Sequence, residues 1–392
     1  MAVTITKSPQ NFSPASNPCE FEFSSTQTGQ SNFTFIVELT VNGALHSTHQ
    51  VFTESGIYGS FDCSQILRSF FDSQLETDGT LELPTGTNRI TYSISVQDKY
   101  GATPIPQGTA TSSSTLEAIN GALRFNKWID YDFNDYELTA GGGLLSYFPS
   151  TANRFCALDE SIFLGLIVTS GTYDLTFRLL NSSGGVVATE TLSSNVSPTS
   201  NLLYLDVSPT TIISETTITL ANFEAAYSYD VTVFESGGGS VGTSIIIDRE
   251  CSLYDGQRLH WLNKFGAWES YTFNLYSEEK TNVNADEYQR NIGEWNGTTR
   301  EYSRLQGERL NIAKRANDTM SLNSDWIKED LQQWLVRSLY ESPKVYLEIS
   351  HNVFEPVIVS SSNYTLKQRV KEGLIREDLR IRRTYEYRSQ LN

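Results

Sequence analysis

Residues that do chemistry are scarce in this chain. Its 392 residues hold four histidines and four cysteines, and 29 Lys+Arg face 46 Asp+Glu. Each shortage excludes something. Cys19, Cys63, Cys156 and Cys251 lie far apart with no Cys-x-x-Cys pair. They are too few for a disulfide framework, and are expected to be buried free thiols of a chain made in a reducing cytoplasm. His46 and His49 fall three apart in a predicted strand, which points them to opposite faces and away from a shared metal. His260 is expected to pack or cap beside Trp261, and His351 to sit in a turn. A net charge of -17 withholds the basic footprint that nucleic acid or an anionic membrane requires. The longest apolar run, residues 162–168, is far short of a membrane span. The opening Met-Ala-Val-Thr-Ile-Thr-Lys lacks a basic then apolar pattern, so no signal peptide is expected.

Catalytic patterns are missing too. No Gly-rich phosphate loop follows a strand and opens a helix, and no Gly-x-Ser-x-Gly elbow occurs. The glycine runs Gly141-Gly142-Gly143 and Gly237-Gly238-Gly239 read as linkers. Asp130-Tyr-Asp132-Phe-Asn134-Asp135 opens like a calcium loop. The pattern then fails, because its sixth position is Asp135 rather than Gly and its twelfth is Gly141 rather than Glu. The expectation is no catalytic residue, no bound metal, no cofactor, and no enzymatic activity.

What is present is strand and turn signal. Alternating Phe33, Phe35, Val37, Leu39 and Val41 lead through Asn42-Gly43 into a second run at 45–52, the strongest short hairpin pattern. Ile66, Leu67, Phe70 and Phe71 predict a short helix capped by Asp62 or Ser64. Strands are expected at 89–97 and near 118–125. Short runs at 163–169, 173–180, 186–192, 202–207, 216–220, 227–234 and 244–247 follow, at the spacing of an immunoglobulin-like sandwich. Later, Ile327, Leu331, Trp334, Leu335 and Leu339 mark one face of a helix over 324–341 with Ser324 as N-cap and Pro343 as stop. Strands at 345–349 and 356–359 pair across His351-Asn352. A charged strand at 374–387 is expected at an exposed or interface position. The fold class is thus mainly β, with two antiparallel β-sandwich domains, 1–128 and 129–250, followed by a C-terminal α+β region, 251–392.

The charge divides along the same line. Residues 1–250 hold 9 Lys+Arg against 26 Asp+Glu, and residues 251–392 hold 20 against 20. A balanced, charge-rich segment suits protein–protein contact. Trp295, Tyr302, Arg304, Arg309, Trp326 and Trp334 are the residue types that dominate interfaces, and they are the candidate interface. At the dividing line stands the aromatic stretch from Arg258 to Phe273. Within it Trp261, Asn263, Gly266, Trp268, Tyr271 and Phe273 are expected to form a buried structural junction, with Asn263 bonding turn backbone and Gly266 at positive φ. A competing use of aromatics is sugar stacking, for which Trp128, Tyr131 and Tyr136 are the candidates.

The pattern Trp261-Leu262-Asn263, Gly266, Glu269 and Tyr271-Thr272-Phe273 resembles a signature of virion proteins from phages infecting Bacteroidetes, which often have Asp where Glu269 stands. A second piece, Leu339 to Tyr346 with its Ser342-Pro343, then Pro356-Val357-Ile358 and Ser362 to Lys367, is similar to their C-terminal module, and Gly59 to Leu67 is a weaker echo. The resemblance implies a bacteriophage virion structural protein, a tail or tail-tip/baseplate component that assembles as a ring or multimer with itself and with other tail proteins. It would be made in the host cytoplasm and located in the virion tail, without nucleic acid or membrane insertion. The alternative is a host-glycan-binding adhesin.

Overall fold

The computed structural model describes residues 3–84, 88–138, 141–168, 172–196, 201–235, 239–249, 254–360, 363–366 and 374–388. Cys251, Gly237, Gly238, Ser362 and Lys367 lie outside the described residues. The chain is mainly β, and nearly all of its strand pairs are antiparallel. Cys19, Cys63 and Cys156 are free and buried.

The first sheets are built as their alternation requires. Thr34–Val41 and Ala44–Val51 pair across Asn42 and Gly43, both at positive φ. Arg89–Tyr100 pairs with Thr34–Val41 on the other side, with every second residue buried through most of its length. A three-stranded sheet of Val3–Lys7, Glu20–Ser25 and Tyr58–Asp62 covers this face. Phe21, Phe23, Phe35, Val37, Ile94 and Val96 fill the space between. The predicted helix is one turn, Ser64–Leu67, extended by a 3-10 turn, Arg68–Phe70, and Asp62 Oδ1 accepts from the Ser64 amide at 2.9 Å. The strand expected near 118–125 is Leu116–Ile119, and Phe125–Trp128 is helical instead.

A second core lies between a five-stranded sheet, with Tyr173–Leu180 and Ser228–Glu235 near its centre, and the pair Phe163–Ile167 and Leu202–Asp206. Glu82–Leu83, far upstream, adds a third strand to that pair by bonding with Tyr204 and Leu205. The strand expected at 216–220 is absent. Two short helices, Pro209–Glu215 and Leu220–Ala225, occupy that part of the chain. Pro209 pre-sets the first helical turn. Thr219 and Asn222 form a reciprocal capping box that closes the start of the second helix.

The C-terminal sheet runs Trp268–Phe273, Gln257–Leu262, Val345–Ser350, Val353–Val359, Asp378–Arg383, Arg309–Asn323 and Glu278–Gln289. Asn352, at φ 58°, makes the predicted turn. The helix is shorter than its apolar pattern, Glu329–Leu339, with Lys328 at the N-cap. Ser324 does not cap it, because Ile327–Lys328 first pairs as a strand with Leu374–Ile375. The Ser324 hydroxyl instead accepts from the Glu377 amide at 2.8 Å. Asp378–Arg383 alternates cleanly, with Leu379 and Ile381 buried, so it is a strand of the sheet interior.

Side chains also tie the first part of the chain to the last. Glu341 accepts from Lys264 and from the Tyr364 hydroxyl, each at 2.6 Å, and from Arg124. Burial alone would raise its pKa, but these donors outweigh it and hold the carboxyl down to about 2. Its ordinary value is 4.5. A folded value below the unfolded one adds stability that is complete above the unfolded pKa and is lost as pH falls through the folded one. The melting-temperature gap between wild type and Glu341→Gln is therefore expected to be full at about pH 6 and to close as pH falls toward 2. Thermal melts at a series of pH values check this; a gap that widens on acidification contradicts it.

Candidate assembly interface

Two features of the C-terminal region bear on function, a sealed junction and an exposed arm. The junction begins with a turn. Asn263 Oδ1 accepts from the amides of Phe265 and Ala267 at 2.9 and 3.0 Å, and its Nδ2 donates to the Leu145 carbonyl at 2.7 Å. Gly266 has φ +77°, and a Cβ there would lie 2.6 Å from the Asn120 carbonyl oxygen. The turn thus demands glycine twice over, for its dihedral and for its closeness to another segment.

The flanking strands divide their side chains between two cores. Leu259, Trp261 and Phe273 join Trp334, Leu335 and Leu339 of the helix. Leu262, Phe265 and Trp268 join Phe12, Ile119, Phe163 and Tyr204 from the earlier sheets. Tyr271 is half-buried and packs edge-on against Phe273. All six junction candidates therefore share one locality, and Trp261 is fully buried.

Polar side chains seal this junction. The Trp261 indole donates to Ser338 Oγ at 2.7 Å, and Ser338 Oγ and the Trp334 indole each donate to Glu269 Oε2 at 3.0 Å. Ser146 donates to the other Glu269 oxygen. Burial pushes the Glu269 pKa up, against these donors and the Arg154 charge. On the other face Arg258 is buried with a full set of partners. Its Nε donates to the Ser161 carbonyl at 2.7 Å, and its terminal nitrogens reach Glu160 at 3.0 Å, Thr272 at 2.7 Å and Ser270 at 2.8 Å. Burial opposes its charge, but Glu160 and Glu348 outweigh that and keep its pKa above the ordinary value.

His260 lies beside this pair, fully buried, with Nε2 2.8 Å from Glu348. Burial lowers its pKa, against the Glu348 carboxylate, and its Nδ1 has no hydrogen-bond partner. Among the described residues no cluster of three or more His, Cys, Asp or Glu could hold a metal. The Asp130–Asp135 segment is a capped 3-10 turn, with Asp132 accepting from the Asn134 amide at 3.0 Å.

The arm is the opposite of the junction. Every residue of Glu278–Gln289 is exposed. This strand pairs with Arg309–Asn323, and among the described residues the hairpin beyond Lys314 pairs only with itself. Twelve residues of strand span roughly 40 Å. At the far end a short ladder, Glu294–Trp295 with Arg300–Glu301, carries Trp295 at 71% exposure; Tyr302 is 67% exposed and Leu305 95%. Arg304 and Arg309 are exposed there as well. A lone two-stranded hairpin is only marginally stable in water, and large apolar side chains at its tip gain by burial against another surface.

The candidate interface residues thus separate. Trp295, Tyr302, Arg304 and Arg309 belong to the arm. Trp326 is exposed but precedes the helix. Trp334 is a correction: it is 5% exposed, because it lies on the helix stripe that faces the sheet. The sugar-platform candidates point inward in part. Tyr131 is buried, with its hydroxyl donating to the Phe12 carbonyl at 2.8 Å, and it stacks on Tyr136. Glu269 and Arg258 were not singled out from sequence as functional side chains. Their partners lie 97 or more residues away in several cases.

Replacing Arg258 by Met is expected to cost about 3–5 kcal/mol, the usual penalty for stranding buried carboxylates. Arg258→Lys is expected to recover only part of that, since an ammonium cannot reproduce the planar fork. Urea unfolding of the two variants measures this; a Met variant as stable as wild type contradicts it.

No protein-family model and no curated protein matches the chain. Solved structures with some similarity include Dpr2 Ig1-Ig2 in complex with DIP-Theta Ig1-Ig3, at 8% identity over 98% of this chain and 90% of that one, with a TM-score of 0.20. Dimeric latent PorU from Porphyromonas gingivalis is similar at 10% identity over 82% of this chain and 32% of that one, TM-score 0.20. The eight N-terminal Ig domains of Down Syndrome Cell Adhesion Molecule give 7% identity over 81% of this chain and 40% of that one, TM-score 0.17. No helix among the described residues is long and apolar enough to cross a membrane.

Proposed function

We propose that the protein is a non-enzymatic structural component of a bacteriophage virion, placed in the tail or tail tip/baseplate, where it assembles with copies of itself and with other tail proteins. In this reading two β-sandwich domains form an acidic body, and the C-terminal α+β region docks to neighbours. The observation that carries it is the exposed strand Glu278–Gln289, paired with Arg309–Asn323, with Trp295, Tyr302 and Leu305 uncovered at the end of the arm. Such an arm has no use in an isolated subunit, where it only risks aggregation. It gains its stability from a partner. The resemblance carried by Trp261 to Phe273 supplies the virion context. The acidic body keeps free subunits soluble before assembly.

The adhesin alternative draws on exposed aromatics, and the burial of Tyr131 removes one of the three it named. Quantitative mass spectrometry of purified phage particles tests the proposal. The protein is expected in the particle at a copy number that is a multiple of three or six. Absence from particles overturns it.

A further inference from the structure

The partner of the arm is legible in charge and exposure, granted the assembly role proposed above. Residues 288–315, the outer arm, hold six Lys+Arg against three Asp+Glu. Residues 129–250 hold three Lys+Arg against fifteen Asp+Glu. Two of those three cations are spent internally: Arg154 is buried, and Arg249 donates to the Ala226 carbonyl at 2.6 Å. The third, Arg178, pairs with Asp230 at 2.8 Å. The surface of this part of the chain is therefore almost purely acidic, and the outer arm is an exposed basic element able to match it.

One face of that acidic part also carries apolar surface. The helices Pro209–Glu215 and Leu220–Ala225 expose Glu215 and Glu224, and Leu220 and Tyr227 beside them are each 50% exposed. Among the described residues Glu215 and Glu224 make no side-chain hydrogen bond or ion pair, nor do Arg304 and Arg309 on the arm. Two unpaired arginines among an exposed Trp, Tyr and Leu thus face a matching set, two unpaired glutamates with an exposed Leu and Tyr. The arm's own residues are exposed throughout 278–305 apart from Gly293, so the arm does not fold back onto its own body.

We propose that the arm tip docks on the Pro209–Tyr227 helix face of a second copy of this chain, with Arg304 and Arg309 meeting Glu215 and Glu224, and the tip aromatics covering Leu220 and Tyr227. The contact is heterologous, since the arm and its receiving face are different surfaces. It therefore builds a ring if the rotation closes and a filament if it does not.

Charge swapping in the full chain tests this. One variant carries Arg304→Glu and Arg309→Glu; the other carries Glu215→Arg and Glu224→Arg. Sedimentation velocity is measured at about 0.05 M and about 0.5 M salt, where screening differs strongly. Wild type is expected to associate at low salt and to weaken at high salt. Each variant alone is expected to associate more than about tenfold more weakly, because like charges are now opposed. An equal mixture is expected to regain association, since each swapped surface finds its complement on the other variant. Because all four positions are exposed, near-ultraviolet circular dichroism is expected to match wild type in both. A variant that assembles like wild type, a mixture that stays dispersed, or wild type that stays monomeric overturns the docking. Detection of the protein in virions alongside any of these leaves the virion proposal standing and removes only this contact.

Discussion

A guanidinium cannot shed its charge in a protein, so burying Arg258 obliges the surrounding chain to meet all of its donors. That obligation organises the junction. Ser161, Glu160, Thr272 and Ser270 come from two widely separated segments, and each must be in register for the charge to be tolerated. On the other face the buried Glu269 carboxyl accepts from Ser146, Trp334 and Ser338. These two buried polar groups thereby tie together the earlier sheets, the Gln257–Phe273 hairpin and the Glu329–Leu339 helix. Apolar packing supplies the driving force around them, and the polar network selects one arrangement from the many that packing alone would permit.

Local physics was legible in the sequence and long-range pairing was not. Asn42-Gly43 announced its hairpin because a turn with two positive φ values admits few other residues. The Asn263–Gly266 turn and the stripe from Ile327 to Leu339 were readable for the same reason, since their geometry is set within a few residues. Glu82–Leu83 pairing with Tyr204–Leu205 was invisible, because two residues give no period and their partner is remote. Glu278–Gln289 carries no period-two apolar pattern because every residue of it is exposed, and such patterning exists only where one face is buried.

Two misassignments have physical causes of the same kind. Residue type alone puts Trp334 among interface candidates, yet its spacing from Ile327, Leu331 and Leu335 places it on the inward stripe, where it is buried. The run from Thr216 to Leu220 fits the strand spacing of a sandwich, but Pro209 and the Thr219–Asn222 box are start signals for helices. The local signal outweighed the coarser one in both cases.

The molecule combines a junction whose Trp261, Phe265, Trp268 and Phe273 are buried with an arm whose Glu278–Gln289 strand is exposed along its whole length. Under the proposed function that contrast has a use: the buried base holds the arm's strands in register and leaves the far end exposed. The central claim is therefore a gradient of stability along one continuous stretch of chain, from Gln257 to Asn323. Native-state amide hydrogen exchange of the unassembled protein measures it directly. The account predicts that amides in Gln257–Leu262 and Trp268–Phe273 exchange only through global opening, and that those between 282 and 313 exchange orders of magnitude faster. Equal protection in the two segments, or faster exchange in the junction, would contradict it.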